Sequence, residues 1–373
     1  MPTETDWMRG INDDARLSSI IMPGSHDAGV GKTDVDLNWG VKEKWAVCQH
    51  GAIYDQALCG SRFFDCRVFY QAQSLDTDRA YAFQKFLKKN NANAFEGVDK
   101  VEKQTEYLAL EIKKKSLKFG HFSGERQDTT GKGGIGGAYG GGLKASIFEA
   151  IRFLREHPTE FLILRFSHSG WPEKLSQVMK YWYGKYAVSE GWQDRIYRSP
   201  TNIASEFVRN LRGKLVMIFD GKHTSLDPAI GLHRFSKFED TNAAADMGLT
   251  TCGTYAGSSK VNVVVEEAKK AAARHFDGHG FDHLHFVYYQ QTLTLKSIES
   301  ATHKLNDKSS KSAEGKAYTG GARTNLPGFL RELTTMANQY NLGVSRFANV
   351  ISHDFVDVTT SRQIIALNSG FQW

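Results

Sequence analysis

Leu17-Ser-Ser-Ile-Ile-Met-Pro-Gly-Ser-His-Asp-Ala-Gly29 is a short apolar run that stops at Pro23-Gly24 and then presents His26 beside Asp27. A strand that ends in a turn and offers an imidazole next to a carboxylate is one way to place a general base at the mouth of a barrel. Alone, a His-Asp pair is ordinary surface chemistry. Its weight comes from the strand ends that follow.

Further strand-like apolar runs lie at Arg62–Phe69, Ser116–Phe122, Glu160–Ser167, Gly213–Asp220, Thr250–Tyr255, Leu284–Gln290 and Arg346–Phe355. With Leu17–Met22 they make eight. Helical spacing recurs between many of them, over Ala145–His157, Lys174–Tyr186, Ser205–Leu211, Val261–His275, Leu326–Tyr340 and Thr359–Leu367. Strands alternating with helices predict an α/β fold, an irregular TIM-type (β/α)8 barrel, with residues 1–373 forming one domain. Three stretches interrupt the rhythm. Residues 71–115 read as a charged insertion, partly helical around Ala80–Asn90. Residues 127–143 read as a glycine-rich mobile loop, and 302–324 as a polar surface loop.

The 373 residues are 40% hydrophobic and 24% charged, a globular composition. No run approaches the ~20 apolar residues of a membrane-spanning helix. The opening MPTETDWMRG lacks a basic segment followed by an apolar one. A secreted mature form is the expectation, with a cytoplasmic or otherwise exported location left open. Cys48, Cys59, Cys66 and Cys252 are too few for a disulfide framework, and Cys59 and Cys66 are expected as buried thiols. A net charge of +6 mildly favours lipid headgroups or phosphate esters, and no motif points to nucleic acid.

Several patterns carry less than they suggest. Gly31-Lys32-Thr33 lacks the glycine that a phosphate-cradling loop requires at the position of His26. Gly131-x-Gly133-x-x-Gly136 sits in a run of glycines with no strand leading into it. His275, His279, His283 and His285 suggest a metal, but Gly278 and Gly280 break helical spacing, so a loop of solvated histidines is expected.

The chemistry gathers at strand ends. Alternation in Arg62-Phe-Phe-Asp-Cys-Arg67 puts Asp65 and Arg67 on one face, inward if Phe64 and Cys66 face the helices. Phe119-Gly-His121 supplies a second histidine. Val350-Ile-Ser-His-Asp354 brings a carboxylate beside the first strand if the barrel closes. Two histidines, carboxylates and an arginine at one mouth suit phosphodiester cleavage. One imidazole deprotonates a nucleophile, the other protonates a leaving alkoxide, and a guanidinium compensates the phosphate oxygens.

Ile20-Ile-Met-Pro-Gly-Ser-His-Asp-Ala-Gly29, Gly60-Ser-Arg-Phe-Phe-Asp-Cys-Arg67, His121 and His157-Pro-Thr-Glu-Phe-Leu-Ile-Leu-Arg-Phe166 together resemble the X-domain pattern of phosphatidylinositol-specific phospholipase C, in its bacterial, metal-independent branch. Gly213-Lys-Leu-Val-Met-Ile-Phe219, Tyr255 and Ile351-Ser-His-Asp354 extend the resemblance over nearly the whole chain. The resemblance implies His26 as the general base and Asp354 as the carboxylate that orients it. It implies His121 as the general acid with Asp27 as its partner, and Arg67 as the phosphate-binding cation. It also implies no cofactor and no metal, because Arg67 stands where the calcium-dependent branch has a carboxylate ligand. Tyr255 is expected to stack on the headgroup, with Asp65 among the substrate-binding residues. Trp39 and Trp45 resemble a rim that dips into lipid. The basic headgroup-binding positions of bacterial relatives fall on Ser167 (or His168) and Asp220, so a more acidic pocket and broader headgroup acceptance are expected.

The expected activity is thus release of diacylglycerol from phosphatidylinositol or related phospholipids by a monomer working at a membrane surface. A metal-dependent glycerophosphodiesterase or sphingomyelinase barrel is one alternative; it would need clustered acidic ligands near His26. A non-catalytic barrel that binds phosphorylated lipids is the other; it would not need both His26 and His121.

Overall fold

Strands covered on both faces read as continuous apolar runs, and Leu162-Ile-Leu-Arg-Phe166 and Leu215-Val-Met-Ile-Phe219 are buried at every position. In the computed structural model such runs close a parallel barrel. The structure describes residues 3–31, 35–37, 46–71, 116–122, 137–170, 172–220, 226–237, 248–258, 260–274, 282–290 and 314–368. The strands are β1 (Met22–Ser25), β2 (Asp36–Leu37), β3 (Phe63–Cys66), β4 (Val68–Gln71), β5 (Ser116–Phe122), β6 (Gly137–Gly142), β7 (Leu162–Phe166), β8 (Leu215–Phe219), β9 (Leu232–Lys237), β10 (Leu249–Cys252), β11 (Leu284–Tyr288) and β12 (Val350–His353). The helices are α1 (Ile53–Leu58), α2 (Leu143–Glu156), α3 (Pro172–Tyr186), α4 (Val208–Leu211), α5 (Val261–Arg274), α6 (Glu314–Gln339) and α7 (Val358–Ile365). Around the barrel the order is β1-β12-β11-β10-β9-β8-β7-β3, with β3 returning to β1. No described helix is long and apolar enough to cross a membrane.

The eight-stranded barrel holds, but two of its strands differ from the sequence expectation. Ser116–Phe122 is a strand of a separate antiparallel sheet, order β2-β6-β5-β4. The missing barrel strand is β9, Leu232-His-Arg-Phe-Ser-Lys237, whose three charged or titratable residues hide its apolar pattern. The first strand begins later than expected: Leu17–Ser19 is a 3-10 turn, and β1 includes Pro23-Gly24. Pro23 has no amide proton to give the ladder, but its carbonyl still accepts from the Arg62 amide at 3.1 Å. The run Arg62–Phe69 divides at Arg67, where the chain leaves the barrel as β3 and enters the side sheet as β4.

Part of the glycine-rich stretch expected as a loop is also strand. Gly137–Gly142 forms β6, and 127–136 lies outside the described residues. The glycines allow a close approach rather than flexibility. A Cβ on Gly140 would stand 1.9 Å from the Gly29 carbonyl oxygen, and one on Gly29 would stand 1.9 Å from the Phe119 ring. The side sheet therefore packs directly on the turn after β1. Residues 72–115, the pair Trp39 and Trp45, and 302–313 also lie outside the described residues, whereas 314–324, expected as part of a surface loop, open α6.

Phe63, Ile163, Val216, Ile218, Leu249, Leu284, Phe286 and Val350 fill the barrel, and Trp7, Met8 and Leu17 close its N-terminal end. Phe64 and Cys66 face outward into the layer with α2 and α3, which turns Asp65 and Arg67 inward as the alternation requires. Cys59 is only partly buried, unlike Cys66. His283 and His285 are buried rather than solvated, because they lie on and beside β11 instead of in a loop.

One buried ion pair anchors the floor. Glu160 accepts from Arg62 Nε at 2.9 Å and Nη2 at 2.6 Å, and from the Met8 amide at 3.2 Å. Arg62 also donates to the carbonyls of Ala57 and Ser61 at 2.8 Å each, and lies over the rings of Trp7 and Phe153. Removing one partner leaves a buried charge uncompensated. Glu160→Ala should therefore lower the unfolding free energy by about 3–5 kcal/mol in urea titration; wild-type stability would show that Arg62 is not dependent on this carboxylate.

Candidate active site

The C-terminal ends of β1, β3 and β12 converge because these strands are neighbours. β1 pairs with β12 from Met22↔Val350 to Ser25↔His353, which sets His26 beside Asp354. Two turns then take unusual backbone. Asp27 (φ 42°) and Phe355 (φ 53°) occupy the left-handed region, where Asp is tolerated and Phe is rare. Both turns are held from outside: the Ala28 amide donates to the Asp65 carbonyl at 2.8 Å, and the Phe355 amide to the Cys48 carbonyl at 2.8 Å. Gln49 ties them together. Its Nε2 donates to the His26 carbonyl at 2.7 Å and its Oε1 accepts from the Val356 amide at 3.0 Å.

Arg67 sits in the middle. Its Nε lies 2.7 Å from Asp27 Oδ1, and its Nη2 lies 3.2 Å from Asp65 Oδ2 and 3.1 Å from His26 Nε2. His26 Nδ1 meets Asp354 Oδ1 at 2.8 Å. A proton on Nδ1 donated to Asp354 leaves the Nε2 lone pair facing the guanidinium, the tautomer a base needs. Asp27 Oδ2 stands 3.4 Å from His26 Nε2 and 3.5 Å from His121 Nε2, between the two rings, whose centroids are 6.3 Å apart. His121 Nδ1 lies 3.1 Å from the Ala46 carbonyl oxygen. His121 reaches the mouth from β5, in the side sheet, not from a barrel strand.

The remaining expected residues form a second arc. Asp65 Oδ1 accepts from Ser167 Oγ at 3.0 Å, His168 Nδ1 lies 3.2 Å from that hydroxyl, and the His168 amide donates to Asp220 Oδ2 at 3.3 Å. Tyr255, 43% exposed, meets Tyr288 edge-on at 5.7 Å. The Tyr288 hydroxyl in turn accepts from Arg165 Nη1 at 3.3 Å.

Arg165 carries no role in the sequence reading, although the parity that turns Asp65 inward also turns Arg165 inward on β7. Its Nε lies 4.0 Å from Asp65 Oδ1. Cys48 is the other unforeseen neighbour, with Sγ 3.4 Å from His121 Nδ1 and 3.8 Å from Asp27 Oδ2. Burial, with Asp354 and Asp27 nearby, pushes its thiol well above the ordinary range, so it is a neutral wall. Nothing in its spacing announces this, because Cys48 and His121 are distant in the chain.

Burial alone would push the His26 imidazole down, but Asp27 and Asp354 outweigh it and hold the pKa above the ordinary 6.5. Burial would raise Asp27, yet Arg67, His26 and His121 hold it below the usual carboxylate range. Arg67 and Arg165 likewise keep Asp65 ionised against burial. Donor atoms of His26, Asp27 and Asp65 lie within 4.8 Å of one another, a spacing that admits a cation. A divalent ion there would compete with the guanidinium that already bridges both carboxylates.

Solved structures similar in fold to this chain include bacterial enzymes. A mutant of phosphatidylinositol-specific phospholipase C from Staphylococcus aureus matches with a TM-score of 0.57 and 14% identity, over 98% of each chain. A pentafluoro-Phe-containing form of the same S. aureus enzyme gives 0.58 and 15%, again over 98% of each. Phosphatidylinositol-specific phospholipase C from Listeria monocytogenes gives 0.56 and 15%, over 98% of this chain and 99% of that one. At such identities the likeness is one of fold. No family model and no curated protein matches the chain.

The two carboxylates around His26 make its titration measurable. Its ring resonance in NMR should titrate above 6.5, and Asp354→Asn should lower that midpoint, since an anion that favours the imidazolium has been removed. An unchanged midpoint in Asp354→Asn would show that Asp354 does not govern the ring.

Proposed function

We propose that this chain is a phosphodiesterase of the phospholipase C type, cleaving the glycerophosphodiester bond of a phospholipid by paired histidine catalysis. One observation carries the reading: two imidazoles, 6.3 Å apart, flank a carboxylate bonded to an arginine at the C-terminal mouth of a barrel. The fold likeness to phosphatidylinositol-specific phospholipases C supports it.

In this mechanism His26 Nε2 takes the proton of the attacking hydroxyl, and Asp354 stabilises the imidazolium that forms. With inositol the nucleophile is the ring hydroxyl next to the phosphate, and a cyclic phosphate is the first product. Headgroups without that hydroxyl require water. Arg67 turns from its carboxylates to the phosphate oxygens, where negative charge concentrates. His121 gives a proton to the departing glycerol oxygen, so diacylglycerol leaves neutral. To do so it exchanges Asp27 or the Ala46 carbonyl for that oxygen when substrate enters. Ser167, Asp220 and Tyr255 would line the headgroup side. Asp220 gives that wall an acceptor and a negative charge, which suits polyols and cationic headgroups alike.

Arg67 already satisfies Asp27 and Asp65, which favours this reading over a metal-dependent one. Cleavage of phosphatidylinositol vesicles should persist in EDTA, and Arg67→Ala should lower kcat/KM on the order of 10²–10⁴-fold. Phosphorus NMR would identify the product. Loss of cleavage in chelator with recovery on adding calcium would overturn it, and no cleavage of any phospholipid would favour a binding barrel.

The acid assignment has its own test. His121→Ala should lose more activity on an alkyl leaving group than on a phenolic one of low pKa, which departs without a proton. Equal losses on both would remove His121 from that role.

A further inference from the structure

A second set of donor side chains lies on the outer face of the barrel. Leu284, Phe286 and Tyr288 of β11 belong to the lumen core, so alternation turns His283 and His285 outward. Val287 and Tyr289 share that parity and pack with Val264 and Ala268 of α5. On β10, Leu249 faces the lumen, Cys252 has the outer parity, and the register pairs Cys252 with His285. Cys252, His283 and His285 are 1%, 3% and 8% exposed. The catalytic residues proposed above stand on the lumen side and at the mouth, so this cluster has no part in that chemistry.

Its geometry is that of a ligand set. Cys252 Sγ is 3.4 Å from His285 Nδ1, and the rings of His283 and His285 are 5.0 Å apart between centroids. One donor atom from each of the three falls within 4.8 Å of the others. Zinc bonds to sulfur and imidazole nitrogen at a tetrahedral angle put the two donors about 3.6 Å apart. The Cys252–His285 pair is already there, and no pair need close by more than about 1.5 Å. The backbone beneath is fixed. The His285 amide donates to Asn349 Oδ1 at 2.7 Å, the Asn349 amide donates back to the His285 carbonyl at 2.8 Å, and Asn349 Nδ2 donates to the Ser18 carbonyl at 2.7 Å. One thiolate with two imidazoles selects a borderline-soft ion over calcium or magnesium.

We propose that Cys252, His283 and His285 form a zinc site that clamps β10 to β11, with solvent as the fourth ligand. On binding, the Cys252 thiol releases its proton to solvent and its sulfur bonds the metal; no redox change is involved. The effect is on stability, and the site is separate from any metal requirement of the phosphodiesterase reaction.

The test uses the full chain, reduced and stripped of metal. Titration with cobalt(II) should produce a thiolate-to-cobalt charge-transfer band that saturates at one ion per chain and disappears when zinc is added. Zinc alone should raise the unfolding temperature and release a proton at neutral pH. Cys252→Ser should abolish the band, Cys59→Ser should retain it, and His283→Ala or His285→Ala should weaken cobalt binding by about ten-fold or more. Should Cys252→Ser fail to fold, alkylation of the wild-type chain decides: Cys252, 1% exposed, reacts with iodoacetamide only as the fold opens, and zinc should slow that reaction relative to the metal-free chain. No band, a band that survives in Cys252→Ser, a band lost only in Cys48→Ser, or unprotected Cys252 would each overturn the proposal.

Discussion

Arg67 wedged between Asp27 and Asp65 is the contact on which the mouth of the barrel depends. Three carboxylates (Asp27, Asp65 and Asp354) meet two guanidiniums (Arg67 and Arg165), which leaves one negative charge in surplus in a buried setting. A buried surplus draws in a proton, and the His26 imidazole is the group placed to take it. The raised pKa of His26 is the local expression of that imbalance. Charge balance and proton placement are thus one problem with one solution.

The two histidines are mounted on different frames. His26 follows a barrel strand, whereas His121 belongs to the side sheet. The frames are joined by backbone: the Gly120 amide donates to the Arg67 carbonyl at 2.9 Å, and the Gly141 amide to the Gly29 carbonyl at 3.0 Å. Close approach at Gly29 and Gly140 keeps the sheet flush against the β1 turn. The separation between the rings therefore depends on glycines that carry no chemistry themselves.

The barrel was legible because buried parallel strands leave apolar runs and helices leave a different spacing, as in Leu215–Phe219 and Leu143–Glu156. His26, Asp27, Arg67 and Asp354 were legible because each sits at a strand end, where parity and closure fix direction. What escaped detection had no periodic signal. β9 carries His233 and Arg234, so its alternation is diluted. Ser116–Phe122 has the pattern of a strand, but pattern cannot say which sheet a strand joins. Gly137–Gly142 looked like a loop because glycine that admits close packing and glycine that confers freedom are identical in sequence. Cys48 and Gln49 act through partners such as His121 and Val356, which only folding brings near.

The side sheet has one more consequence. β4 and β5 run antiparallel, and Gln71 and Ser116 are register partners at their shared end. The chain therefore leaves for residues 72–115 and returns at adjoining positions, while Arg67 and His121 sit toward the opposite end of the same ladder. Whatever lies between Gln71 and Ser116 hangs from a fixed doorway. Closing a longer excursion across it costs little more than closing a shorter one, since the entropy grows only logarithmically with length. The span from Gln71 to Ser116 is thus set by the ladder and not by the number of residues between them, and the separation of His26 and His121 is set on the other side of that doorway.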